Sequence, residues 1–86
     1  MLKQMSAAQC RGARALLDMT QPKLATVAKV GLSTVVDFER ERRSVSEEAI
    51  GKMQHALENA GVEFIDENGG GPGVRLRKPS KQRPQK

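Results

Sequence analysis

Between Gln21 and Arg43 the chain carries a run of side chains able to meet a polyanion. Gln21 stands at the start of a short amphipathic stretch, where free backbone N–H groups and a positive helix dipole suit a phosphate, and its side chain adds a donor. A second stretch opens with small residues, Gly31, Ser33 and Thr34, which tolerate close approach to a groove edge. In it Leu32 and Val36 suit thymine methyls, and Ser33 and Thr34 hydrogen-bond base edges, while Asp37 is either an acceptor suited to the cytosine amino group or a residue that only caps or pairs locally. Arg40, Arg42 and Arg43 follow directly, placed for phosphates, with Arg40 near enough to reach a guanine.

Other chemistries have less support. A single histidine (His55) and a single cysteine (Cys10) supply no metal-ligand set and no intrachain disulfide, so neither a metal nor a cofactor is expected. Cys10 reads as a small core residue and His55 as a surface one. Glu47 and Glu48 sit at a helix start with no nucleophile nearby. The run Gly69-Gly70-Gly71-Pro72-Gly73 lacks the Gly-Lys-Ser/Thr that completes a phosphate-binding loop, and reads as a turn. No enzyme is expected.

The elements that must position these groups are short. Ser6 and Gln9 have capping-box spacing, and Cys10, Ala13 and Leu17 form an apolar stripe, predicting a helix over residues 6–17. Thr20 caps a second helix, with Pro22 in its first turn, that ends near Lys29. A third runs from Leu32 to about Glu39, with Val35 and Phe38 inward. Ser46 caps a fourth, with Glu47 and Glu48 against its dipole, Ile50, Met53 and Leu57 inward, and Gly61 closing it. The period then changes to two. Val62, Phe64, Val74 and Leu76 predict a β-hairpin over 62–77 whose apolar face packs on the helices, with Ile65 pointing away. Residues 1–5 read as a loose start. The fold class is mainly α: four short helices containing a helix-turn-helix, followed by a C-terminal β-hairpin.

Charge is unevenly spread along the 86 residues. The net charge is +5, yet six basic residues and no acid lie from Val74 onward, so residues 1–73 carry a net charge of −1. The body must therefore meet a polyanion by placement of its cations, not by bulk charge. Residues 78–86 are basic and proline-containing and read as a disordered tail. No apolar run approaches the length of a membrane span and no secretion signal is seen, which predicts a cytoplasmic protein.

Residues 20–39 carry a resemblance. Thr20-Gln21-Pro22-Lys23-Leu24-Ala25, then Val30, Ser33-Thr34-Val35 and Phe38-Glu39, with Arg14 seven positions before Gln21, resemble the phage-repressor-like (Xre/Cro-type) helix-turn-helix family. The resemblance extends over residues 6 to about 60. It implies a small bacterial transcriptional regulator, with the third helix in the major groove and a structural salt bridge between Arg14 and Glu39. Two positions depart from the family outline. Lys29 stands where the turn glycine is usual, so either a lysine takes positive φ, at about 1 kcal/mol or more, or the turn differs. Glu41 stands where Gly or Asn often follows the third helix.

The expectation is a sequence-specific DNA-binding regulator, a repressor or activator of its own or other genes. Its partners would be double-stranded operator DNA and a second copy of itself, the hairpin being a candidate dimer interface. A single short helix in the groove gains too little to find one site in a genome, whereas two-fold symmetry doubles the contacts. Two alternatives stay open: a DNA-binding antitoxin of a toxin–antitoxin pair, and a protein-interaction module that has lost DNA binding.

Overall fold

Ser6 begins the first helix by the reciprocal bonding its spacing predicts. In the computed structural model, which describes residues 4–66 and 69–77, Ser6 Oγ accepts from the Gln9 amide at 3.1 Å and Gln9 Oε1 accepts from the Ser6 amide at 2.8 Å. Helix α1 spans Ala7–Leu17 and helix α2 spans Gln21–Ala28, with Thr20 Oγ1 accepting from the Lys23 amide at 3.2 Å. Helix α3 spans Leu32–Glu39 and helix α4 Glu47–Ala60, the latter capped by Ser46, whose Oγ accepts from the Ala49 amide at 3.1 Å. Gly61 ends α4 at φ +123°, a conformation that L side chains rarely adopt.

Three other turns reach positive φ without glycine: Asp18 at 58°, Lys29 at 60° and Glu41 at 56°. Each closes its helix the same way. The Met19 amide donates to Arg14 O at 2.8 Å, Val30 to Ala25 O at 3.1 Å, and Arg42 to Asp37 O at 2.9 Å. The left-handed residue itself donates one turn back, to Ala15, Thr26 and Phe38 carbonyls respectively. These paired bonds have the Schellman pattern and occupy carbonyls that a helix end leaves without partners. Of the two outcomes open at Lys29, the lysine takes the left-handed backbone.

Strand β1 (Val62–Ile65) pairs antiparallel with strand β2 (Gly73–Leu76), Val62 facing Leu76 and Phe64 facing Val74. The architecture is thus four helices and a C-terminal two-stranded hairpin, as the sequence predicts. The core gathers Met5, Cys10, Ala13, Leu24, Ala25, Ala28, Val35, Met53, Leu57 and Val62, with Leu17, Phe38, Ile50, Phe64 and Val74 half-buried around it.

Two expectations need correction. The start is not loose at its last two described residues. Met5 is buried, its amide donates to Gln54 Oε1 at 3.0 Å, and Gln4 Nε2 donates to the Glu47 carbonyl at 3.0 Å. Residues 1–3 lie outside the described residues, as does the tail expected over 78–86. The hairpin face is also less covered than predicted, because Leu76 is 40% exposed. The strand is supported beside α1 at Val74, where a Cβ on Gly12 would lie 3.2 Å from Val74 Cγ1, and Leu76 lies two residues further on.

Polar bonds fasten the hairpin at both ends. Gln9 Nε2 donates to Ile65 O at 3.2 Å and Gly73 O at 2.8 Å, the pair nearest the turn. At the other end the Arg77 amide donates to Gly61 O at 2.8 Å, and its guanidinium donates to the carbonyls of Glu58 and Val62.

Candidate functional site

Glu39 organises the helix pair that would present the site. Its side chain is nearly inaccessible, and it sits at the end of α3 one helical turn after buried Val35. Four donors surround its carboxylate or reach it from two other helices. Arg14 Nε donates to Oε2 and Nη2 to Oε1, each at 2.7 Å, a two-pronged ion pair. Cys10 Sγ donates to Oε2 at 3.1 Å and Gln21 Nε2 to Oε1 at 2.9 Å. Arg14 also donates through Nη1 to Met19 O at 3.0 Å, which ties the α1–α2 connection to the same group. Arg11 donates to the backbone carbonyl of Glu39.

Protonation follows from these contacts. Burial alone would raise the Glu39 pKa, but the hydrogen bonds from Arg14, Cys10 and Gln21 and the Arg14 charge outweigh it and hold it below 4.5. The hydrogen bond to Glu39 raises Arg14 further above its ordinary value, against the opposing effect of burial. Burial, then the adjacent Glu39 carboxylate, push the Cys10 thiol well up, so it remains a protonated donor at neutral pH. The Arg14–Glu39 bridge implied by the family resemblance is present, with two further side chains added to it.

The opposite face of α3 is turned outward. Leu32 is 46% exposed, Ser33 is exposed, and Thr34, Val36 and Asp37 are half-buried. Positions 32, 33, 36, 37 and 40 recur at helical spacing along one continuous arc that excludes the buried Val35 and Glu39. The proposed base-reading residues and Arg40 therefore share one accessible face.

Gln21 and Asp37 are both engaged within the chain. The sequence reading has Gln21 offer its side chain to a phosphate, but one N–H braces Glu39 instead. Of the two roles open to Asp37, base acceptor or local partner, the free chain shows local pairing: Asp37 accepts from Arg43 Nε at 2.7 Å and lies 3.9 Å from Arg42 Nη1. The bend at Glu41 is the physical reason, since it folds the chain back so that the Arg42 amide reaches the Asp37 carbonyl. Arg40 has no ion-pair partner among the described residues and is exposed.

Two contributors escaped sequence reasoning. Cys10 precedes Arg14 by four residues, so their common helix face was visible, but not what it faces. Arg11 carries no sequence signal that separates it from a solvated arginine. Among the described residues no group of His, Cys, Asp and Glu is placed to hold a metal, and no helix is long and apolar enough to cross a membrane. Compared with models of known families and with curated protein sequences, the chain matches none.

Proposed function

We propose that the chain is a sequence-specific binder of double-stranded DNA that regulates transcription from the cytoplasm, acting as a dimer on a two-fold symmetric operator. The observation that carries this reading is the outward face of α3, Leu32, Ser33, Val36 and Asp37 continuing to Arg40, on a helix fixed from behind by the Glu39 cluster. An apolar and hydroxyl-bearing face of this kind suits base edges and thymine methyls, and the arginines beyond it suit phosphates. In this reading the Gln21 amide is the backbone donor that the first turn of α2 leaves for a phosphate, since Pro22 has none and Thr20 takes the Lys23 amide, while the Gln21 side chain acts mainly by bracing Glu39.

The protein-interaction reading has one observation in its favour: two of the three loop arginines are drawn to Asp37, which lowers the positive charge available to DNA. Selection from a randomised duplex library, followed by footprinting on DNA upstream of the protein's own gene, separates the two. Enrichment of a two-fold symmetric sequence supports the regulator. Binding that neither selects a sequence nor weakens with salt rejects it.

A further inference from the structure

Asp37 is the one acid on the outward face of α3, and a carboxylate facing a DNA groove is repelled by the phosphates on either side. Its surroundings offset that charge. Arg43 Nε lies 2.7 Å from Oδ2 and Arg42 Nη1 lies 3.9 Å from Oδ1, while both arginine side chains stay about half exposed and the Asp37 side chain is 19% exposed. Arg43 also donates to the Ser44 carbonyl at 3.3 Å, so its reach is set by the folded-back loop. The same two arginines are the cations next in line for phosphates.

Resting on the DNA-binding reading, we infer that Asp37 is a specificity-determining residue that works by exchange of partners. In the free chain Asp37 holds Arg43 and attracts Arg42. On DNA the arginines move to phosphates, and Asp37 is left facing the groove. There a cytosine amino group donates to it and replaces the lost partner. Where the facing base offers no donor, the carboxylate stands unpaired beside the phosphates, and binding is weakened. The grip on the backbone is thereby coupled to the identity of one base.

The alternative arrangement, in which Asp37 stays paired and only positions Arg43, has the opposite signature. Removing the carboxylate would then loosen Arg43 and weaken binding to all DNA alike. The exchange instead makes Asp37 a competitor for Arg43 on any duplex lacking the donor.

The test uses the full chain, a duplex selected by wild type from a randomised library, and a scrambled duplex of the same length, with binding read by fluorescence anisotropy at several salt concentrations. Asp37→Ala and the near-isosteric Asp37→Asn should both bind the scrambled duplex about fivefold more tightly, the scale of one exposed ion pair. The slope of log K against log salt should steepen by up to about 0.9 per subunit. Discrimination between the two duplexes should fall by at least the same factor. Arg43→Gln should weaken scrambled-duplex binding more in the Asp37→Ala background than in wild type. Unchanged or weaker scrambled-duplex binding by both Asp37 variants, with melting intact, overturns the exchange while leaving wild-type selection of a sequence in place. Failure of wild type to bind any duplex overturns the DNA-binding reading itself, and this inference with it.

Discussion

Glu39 illustrates how one side chain holds three helices. A carboxylate removed from water is strongly disfavoured unless its lone pairs are met, and here Arg14, Cys10 and Gln21 meet them from α1 and α2. Removing Arg14 strands a buried charge, whereas Glu39→Gln removes the charge and leaves the half-buried Arg14 with access to water. Arg14→Ala should therefore cost about 2–4 kcal/mol and Glu39→Gln less, both read as a fall in melting temperature. The pH dependence has a definite sign. The folded-state pKa of Glu39 is depressed, so its contribution is complete above its ordinary value of 4.5 and is lost as pH falls through the depressed one. The stability difference between wild type and Glu39→Gln should be largest near neutral pH and shrink in acid, as measured by thermal melts from pH 7 to 3. A difference that grew on acidification would mean that Glu39 is buried neutral. At this scale the sequence was partly legible: the Arg14–Glu39 pairing followed from the family resemblance. The participation of Cys10 and the turning of Gln21 depend on how α1 and α2 cross, which spacing within either helix does not contain.

At the scale of elements, the helix starts were readable because a cap is a contact between residues three apart, and Ser6, Thr20 and Ser46 all act as their spacing predicts. Helix ends were harder. Lys29 and Glu41 enter the left-handed region against their own preference, held there by the paired carbonyl bonds that close α2 and α3. Lys29→Gly should thus stabilise the fold by about 0.5–1 kcal/mol, the relief of strain exceeding the added freedom of the unfolded chain. Chemical denaturation checks it, and an unchanged or lower midpoint would show that Lys29 is not strained. The bend at Glu41 also explains why the partner of Asp37 was not legible in sequence: Arg43 lies six positions after Asp37, and only the reversal brings them together. Under the proposed function, α3 and its loop divide the work. Leu32→Ala or Ser33→Ala should lower operator affinity by about 1–3 kcal/mol for a lost base contact, with little change on random DNA. Arg40→Ala should weaken both and flatten the salt slope by about 0.9 per subunit, read from isotherms on the two duplexes. Full operator discrimination by the Leu32 and Ser33 variants would show that α3 does not read bases.

For the whole molecule, the hairpin is part of the core before it is anything else. Val62 is fully buried, Phe64 and Val74 are half-buried against the helices, and Gln9 and Arg77 fasten the strands at their two ends. The Gln9 bonds join α1 to residues more than fifty positions away, so the strands are readable from their alternation but the seat they occupy is not. Truncation after Gly61 would remove burial worth about 1.5–3 kcal/mol for Val62 alone, in a small domain whose total stability is about 5–15 kcal/mol. Such a truncation should lose its cooperative melt, and a dimer test built on it would confuse unfolding with dissociation. Ile65 and Leu76 allow a cleaner one, because each is more than a third exposed while its neighbours Phe64 and Val74 carry the packing. If the hairpin is the dimer interface, Ile65→Lys combined with Leu76→Lys places like charges on the apposed surfaces of both copies and opposes pairing of the strand edges. The melting temperature of the monomeric unit should change little, since neither side chain is buried. Sedimentation velocity should show the double variant as a monomer at concentrations where wild type is a dimer. Its affinity for a two-fold symmetric duplex should fall towards that for a half-site. A double variant that sediments as a dimer would exclude the hairpin and move the interface to the helices.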